Sequence, residues 1–193
     1  MGFVAFFSKA ELWLRESTTL LRGALLRRYL RLHGCPVGKG LKCKRWPLFH
    51  RPPHGNIEVG DGVCFGYGVS LWVADNARLF LGDYVHLTHN VVISAHESVL
   101  VGAHTQVAEN VSIRDSDHEA RAGCLISQQG FVSAPVAIGE DVWIGASTTV
   151  LKGAQIAQGA VIGANSIVLA KSNTEPFGIY AGSPIRQVGR RPR

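Results

Sequence analysis

The run Asp115-Ser116-Asp117-His118 holds the residue best suited to chemistry in this chain. An imidazole titrates near neutral pH, so His118 can take a proton from an alcohol and return one to a leaving group. A carboxylate at Asp115 or Asp117 would orient the second ring nitrogen and favour the imidazolium that forms. The bland alternative is a solvated polar loop without chemistry. No nucleophile is placed nearby: neither G-x-S-x-G nor G-x-x-x-x-G-K-[ST] occurs, which argues against a serine elbow and a phosphate loop. His86, His89, His96 and His104 are further imidazoles, but they do not recur at one offset within a repeat. A three-histidine metal site would need a coincidence across subunits, and no metal is expected. His50 and His54 fall in RWPLFHRPPHGN (45–56), where Pro47, Pro52 and Pro53 argue against regular structure; both read as surface-loop residues.

The frame that must position His118 is written in sixes. Ile138, Ile144, Val150, Ile156, Ile162 and Val168 recur at every sixth residue, and compact Val142, Thr148, Ala154, Ala160 and Ser166 follow the first five at a fixed offset. A helix repeats every 3.6 residues and a flat strand every two, so neither alone explains this pattern. A coil with three flat sides, one hexad per side, does. Val37-Gly38, Val59-Gly60, Leu81-Gly82, Val101-Gly102, Ile138-Gly139 and Ile156 mark six full or partial coils. Each side is then a short strand stacked in parallel about 4.8 Å from the next. The aliphatic residues point inward, and glycine or Asp-Gly neighbours turn the corners. An ordinary sandwich has no reason to keep strict sixes. The one large departure spans 115–136, and loops that interrupt a rigid repeat are where sites are usually placed.

At 193 residues the chain reads as one domain with additions at its ends. The interior of a single prism is thin, so stability must come from stacking and from burying outer faces against other subunits. Val92, Phe80 and Phe65 are expected on such faces. The net charge of +6 is concentrated in the first quarter and at the C-terminal end. No helix-turn-helix, zinc finger or aromatic single-strand platform accompanies it, so no nucleic-acid role is expected. Phosphate groups on a cofactor or an anionic lipid use the charge more economically. Cys35, Cys43, Cys64 and Cys124 have no metal-type spacing and read as reduced thiols of a cytoplasmic protein. A secretory leader and an eighteen-residue apolar span are both missing from the pattern. Residues 3–33 read as one or two helices, with Phe3, Phe6, Phe7, Trp13, Leu14, Leu20, Leu21, Leu25, Leu26, Tyr29 and Leu30 on one side, arginines and Lys9 on the other, and Gly34 as the stop. Such a segment caps the first coil, lies on an anionic inner-membrane surface, or does both.

Taken together, the hexads, the His118 loop, IGEDVWIGASTTVLKGAQIAQGAVIGANSIVLA (138–170) and IYAGSPIRQVG (179–189) resemble the hexapeptide-repeat acyltransferases, in the branch of sugar, antibiotic and surface-polysaccharide O-acetyltransferases. The resemblance implies an all-β fold, a left-handed parallel β-helix shaped as a triangular prism. Its parts would be an N-terminal helical segment (1–34), the β-helix (35–171) with the catalytic loop 115–136, and a cofactor-binding tail (172–193). It implies a homotrimer, with acetyl-CoA running along clefts between adjacent prisms. His118 maps onto the family's catalytic histidine, with Asp115 and Asp117 beside it. Asn90 falls, loosely, where relatives hold the acceptor. Trp143, Gly145 and Ala146 match the stretch that lines the pantetheine channel; Lys171, Ala181, Gly182, Ser183, Pro184 and Arg186 match the wrap around the cofactor's far end. The expected reaction is direct acetyl transfer to a hydroxyl of a sugar or lipid-linked glycan, with His118 as base and a backbone N–H near Gly145 for the oxyanion. N-acetylation of an amino sugar, or a non-catalytic or metal-dependent trimer, are the alternatives. Glu119 stands where sugar-modifying members often carry proline.

Overall fold

The computed structural model describes residues 2–192, with side chains from residue 16 onward. Within it the sixes fold as a parallel β-solenoid of about six turns preceded by one helix. Each coil visits three sheets in turn. Face A holds Ile57–Val59, Arg78–Leu81, Ser98–Val101, Val136–Ile138 and Gln155–Ile156. Face B holds Lys42–Cys43, Cys64–Phe65, His86–Leu87, Gln106–Val107, Trp143–Ile144 and Val161–Ile162. Face C holds Leu48–Phe49, Ser70–Val73, Val92–Ala95, Ser112–Arg114, Thr149–Val150 and Ile167–Val168.

Register explains why the hexad is strict. Val59, Leu81, Val101, Ile138 and Ile156 are direct partners up face A, and none is more than 3% exposed. One residue added within a strand would turn that ladder outward, so additions are confined to edges. Two interior hydroxyls are satisfied across coils: that of Thr105 donates to the Gly139 carbonyl at 3.0 Å and that of Thr148 to Gly163 at 3.1 Å, whereas His86 Nε2 and Thr88 Oγ1 are buried without a partner among the described residues. Edges need left-handed backbone. Asn90, Asn110, Ser147 and Asn165 stand in one column along the B–C edge with φ of 54–59°, and asparagine tolerates that region well.

Of the one or two helices expected at the N-terminus, one forms, Gly2–Leu32. Two other expectations change. Phe65 does not lie on an outer face; its alternation within Cys64–Phe65 turns it inward, where it is fully buried. The proline-rich stretch is less irregular than its composition suggests, because Leu48–Phe49, between Pro47 and Pro52, pairs with Ser70–Leu71.

Both ends of the prism are covered. Leu26 and Leu30 are fully buried on the first coil, and Gly23 passes so close to Leu41 that a Cβ there would collide with its carbonyl. Arg27 Nε donates to the Gly38 carbonyl at 2.6 Å. The helix ends in a Schellman turn: Cys35 N–H donates to Leu30 O and Gly34 N–H to Arg31 O, with Gly34 at φ 78°. The capping role is therefore real, while Leu20, Leu21 and Leu25 remain exposed. Phe3, Phe6, Phe7, Lys9, Trp13, Leu14 and Arg15 lie outside the residues whose side chains are described. Among the described residues no helix is long and apolar enough to cross a membrane. At the far end Gly178–Gly182 extends face B in parallel beside Val161–Ile162, and Ile185–Arg190 folds back on it antiparallel, with Tyr180 and Ile185 buried.

Candidate active site

The chain leaves the solenoid at the C–A edge of the fourth coil, after Ser112–Arg114, and returns at Val136. The excursion is an antiparallel hairpin: Ser116–His118 pairs with Phe131–Ser133, and His118 stands opposite Phe131. The His118 ring lies 4.4 Å from that of Phe131, is exposed, and lines a hollow of about 390 Å³ with Glu119, Ala120, Arg121 and Val132. Among the described residues it makes no hydrogen bond, so both ring nitrogens are open to a substrate.

The two aspartates do something other than orient the ring. Asp115 is fully buried, and its carboxylate accepts the N–H groups of His96 (2.7 Å), Glu97 (2.8 Å) and Ser98 (2.7 Å). It ties the base of the hairpin to the same edge one coil below. Asp117 points to Lys152, with Oδ2 3.5 Å from Nζ. Neither carboxylate bonds the imidazole, because strand alternation and the edge N–H groups claim them first.

Sequence reasoning missed the ring stack behind His118. Trp72 and His96 are stacked at 4.2 Å, and His96 lies 4.5 Å from Phe131, which touches His118. Arg51 lies over Trp72 at 5.4 Å and pairs with Asp75 at 2.8 Å. The row runs along one edge from the first coil to the hairpin. Burial and the nearby His118 lower the His96 pKa, with Asp115 acting in the opposite sense. The signal was in the periodicity: Trp72, His96 and Asp115 occupy neighbouring positions on the C–A edge of consecutive coils.

The remaining candidates separate into two groups. Trp143 points outward from face B and is 55% exposed. Gly145, Gly163 and Ala181 form one column beside it, at the margin of face B, since Ile144, Ile162 and Tyr180 are register partners. Ala146 follows at the B–C edge, and Arg186 pairs across the terminal hairpin with Ala181. Ser183 and Pro184 make the turn of that hairpin, joined by a cis peptide. Gly145 is not an oxyanion donor: its N–H donates to the Ile162 carbonyl at 2.7 Å. The N–H of Ala146 donates to nothing among the described residues and is the open donor of this stretch. Lys171 lies elsewhere, just past Ile167–Val168 on the C–A edge that carries His118. Asn90 occupies the B–C edge column, its amide donating to Asn110 Oδ1 at 3.3 Å, so its position follows from the left-handed turn and not from His118. In a triangular prism the C–A edge lies opposite face B. One chain therefore cannot bring His118 and the Trp143–Ala146 stretch into one site.

His50 and His54 are surface residues: His50 Nε2 bonds Ser70 Oγ at 2.9 Å and His54 Nε2 the Asp75 carbonyl at 2.8 Å. That carbonyl raises the His54 pKa. All four cysteines are free, and no metal-holding group of three ligands occurs among the described residues.

Comparison with known proteins agrees with this architecture. Residues 135–170 match the bacterial transferase hexapeptide family (six repeats). WbbJ of Escherichia coli K12, named as a lipopolysaccharide biosynthesis O-acetyl transferase, is 33% identical over 74% of this chain and 75% of its own. Rv3034c of Mycobacterium tuberculosis, named as an acetyltransferase, is 30% identical over 80% of this chain but only 49% of its own length. Among solved structures, AntD of Bacillus cereus, an N-acyltransferase in complex with dTDP and 3-hydroxybutyryl-CoA, superposes with a TM-score of 0.73 at 20% identity, over 86% of this chain and 88% of that one. The match over three quarters of WbbJ, joined to the repeat itself, makes this chain a member of the hexapeptide-repeat acyltransferases.

Proposed function

We propose that the protein is an acetyl-CoA-dependent O-acetyltransferase that modifies a sugar hydroxyl of a surface polysaccharide or its lipid-linked precursor. It would act as a homotrimer with sites between adjacent prisms. The observation that carries this reading is the separation just described. His118 stands on one edge, and the small-residue column at Gly145, Gly163 and Ala181 runs at the margin of the opposite face. Only a second copy can close the two into one cleft. The column suits a slender pantetheine arm, since nothing protrudes from it. Arg186 and Lys171 have no ion pair among the described residues and are available for the donor's phosphates, whereas Arg190 and Arg191 are engaged by Glu175 and Asp141. The naming of WbbJ as a lipopolysaccharide biosynthesis O-acetyl transferase supports a polysaccharide acceptor and O-transfer.

In this reading an open His118 nitrogen removes the hydroxyl proton as the sugar oxygen attacks the thioester carbonyl. The carbonyl oxygen becomes an anion within reach of the Ala146 N–H of the neighbouring chain. The carbon–sulfur bond then breaks, and the departing thiolate takes the proton from the imidazolium. Atoms balance without a covalent enzyme intermediate. The test is His118→Ala with a panel of sugar acceptors and labelled acetyl-CoA. Transfer should fall by about two to four orders of magnitude, while CoA binding and trimer mass are unchanged. Unaltered turnover would remove the proposed base. Product mapping on amino sugars separates O- from N-transfer, since both use the same base.

A further inference from the structure

The groove between the N-terminal helix and the first coils of face B is used by none of the chemistry above. It is the cavity of about 790 Å³ bounded by Glu16 and Arg22 of the helix and by Lys42, Lys44, Tyr67 and His89 of the prism. Lys42 and Lys44 flank buried Cys43, so strand alternation sends both side chains outward on one face, about 6.6 Å apart along the strand. Arg22 reaches across from the helix, and one of its terminal nitrogens donates to the Lys44 carbonyl at 2.9 Å. That bond ties the guanidinium to the backbone of Lys44, beside the lysines. None of the three cations has an ion pair among the described residues. His89 Nδ1 accepts the Tyr67 N–H at 3.3 Å, which leaves its ring proton on Nε2 as a donor. The lysine charges are felt at the floor of the groove. Burial raises the Cys64 pKa while Lys44 and Lys42 pull it down; burial, then Lys44, lowers that of His86.

Three like charges held in a concave site, with Glu16 as the acid of the wall, repel one another unless an anion joins them. Two ammonium point charges side by side with a guanidinium fork next to them match a diphosphate, whose oxygens carry charge at both phosphorus atoms. We propose that this groove binds a diphosphate-bearing ligand, with Lys42, Lys44 and Arg22 on its phosphoryl oxygens. The chemistry is shared by a soluble sugar diphosphate and by a lipid with a diphosphate headgroup. The proposal stands apart from the transfer reading, because binding is measured without turnover.

The test uses the full chain with saturating CoA, so that donor-phosphate contacts are already filled. Pyrophosphate is titrated calorimetrically into the wild type and into Lys42→Gln/Lys44→Gln. One pyrophosphate per chain is expected, bound at least tenfold more weakly by the double variant at an unchanged melting temperature. Arg22→Gln should lose part of the same affinity. Absence of binding, or equal binding by wild type and double variant, overturns the proposal. So does a change in sedimentation coefficient on substitution, which would make the lysines subunit contacts. Phosphatidylcholine vesicles with and without diacylglycerol diphosphate, a lipid whose headgroup is a diphosphate, then identify the source. Sedimentation with the acidic vesicles that is lost in the double variant assigns the site to a headgroup. Vesicle behaviour indifferent to the substitution, with pyrophosphate affinity still lost, assigns it to a soluble diphosphate.

Discussion

Replacing Asp115 by asparagine distinguishes a carboxylate that serves an imidazole from one that holds an edge together. The native oxygens take three N–H bonds from His96, Glu97 and Ser98 in a fully buried site. Bonds to a charged acceptor are worth about 1.5–3 kcal/mol each. Asparagine keeps one acceptor oxygen, and its NH2 must then face at least one of those donors, so a loss of about 2–4 kcal/mol is expected. Alanine loses all three; Glu97 is exposed and water can reach its N–H, which brings the expected cost to about 3–5 kcal/mol. Urea denaturation followed by circular dichroism reads the stability, and thiol release from acetyl-CoA in the presence of a sugar acceptor reads turnover. Well below the unfolding midpoint, turnover of Asp115→Asn should fall by about tenfold or less, because the base itself is untouched and only its support loosens. A variant within about 0.5 kcal/mol of wild type that had nonetheless lost nearly all turnover would refute the reasoning. The carboxylate would then have to serve His118 directly.

Phe131→Ala removes the ring wedged between His96 and His118; turnover should drop by about tenfold with the melting temperature little altered, because the hairpin lies outside the prism core. Leu26→Ala and Leu30→Ala should each cost about 2–5 kcal/mol in denaturant unfolding, since both are fully buried against the first coil. Stability should also fall as the solution is acidified. His86 is held below its ordinary value near 6.5 by burial, then by Lys44, with His89 and Lys42 adding and Gln106 opposing. The unfolded chain therefore binds the proton first, so this contribution is complete above about pH 6.5 and is lost as pH falls through the lower folded value. Melting curves of His86→Gln between pH 7.5 and 5, compared with wild type, should show a smaller acid shift; an identical shift would assign the acid sensitivity to other groups.

How much of this could be read beforehand follows from where periodicity reaches. The inward ladder Val59, Leu81, Val101, Ile138, Ile156 was plain, because each rung must repeat the chemistry of the one below. The hairpin was visible as the place where sixes fail, and His118 as its imidazole. What escaped was anything decided between coils. Asp115 looked like a partner for His118 because the two are near in sequence, yet its bonds run to residues a coil away. For the same reason Trp72 drew no notice and His96 was weighed only as a metal ligand. Phe65 was placed outside although it stands six residues after Val59 and six before Leu71, the inward position of the hexad. The N–H at Gly145 was assigned a role that backbone geometry had already taken.

The hairpin departs and returns at a single edge, and Val136 resumes pairing with Val99 as though no residues had intervened. The scaffold is thus blind to the length and composition of its own insert. A lineage could lengthen, shorten or rewrite those residues, and so exchange one acceptor for another, without renegotiating a single rung of the stack.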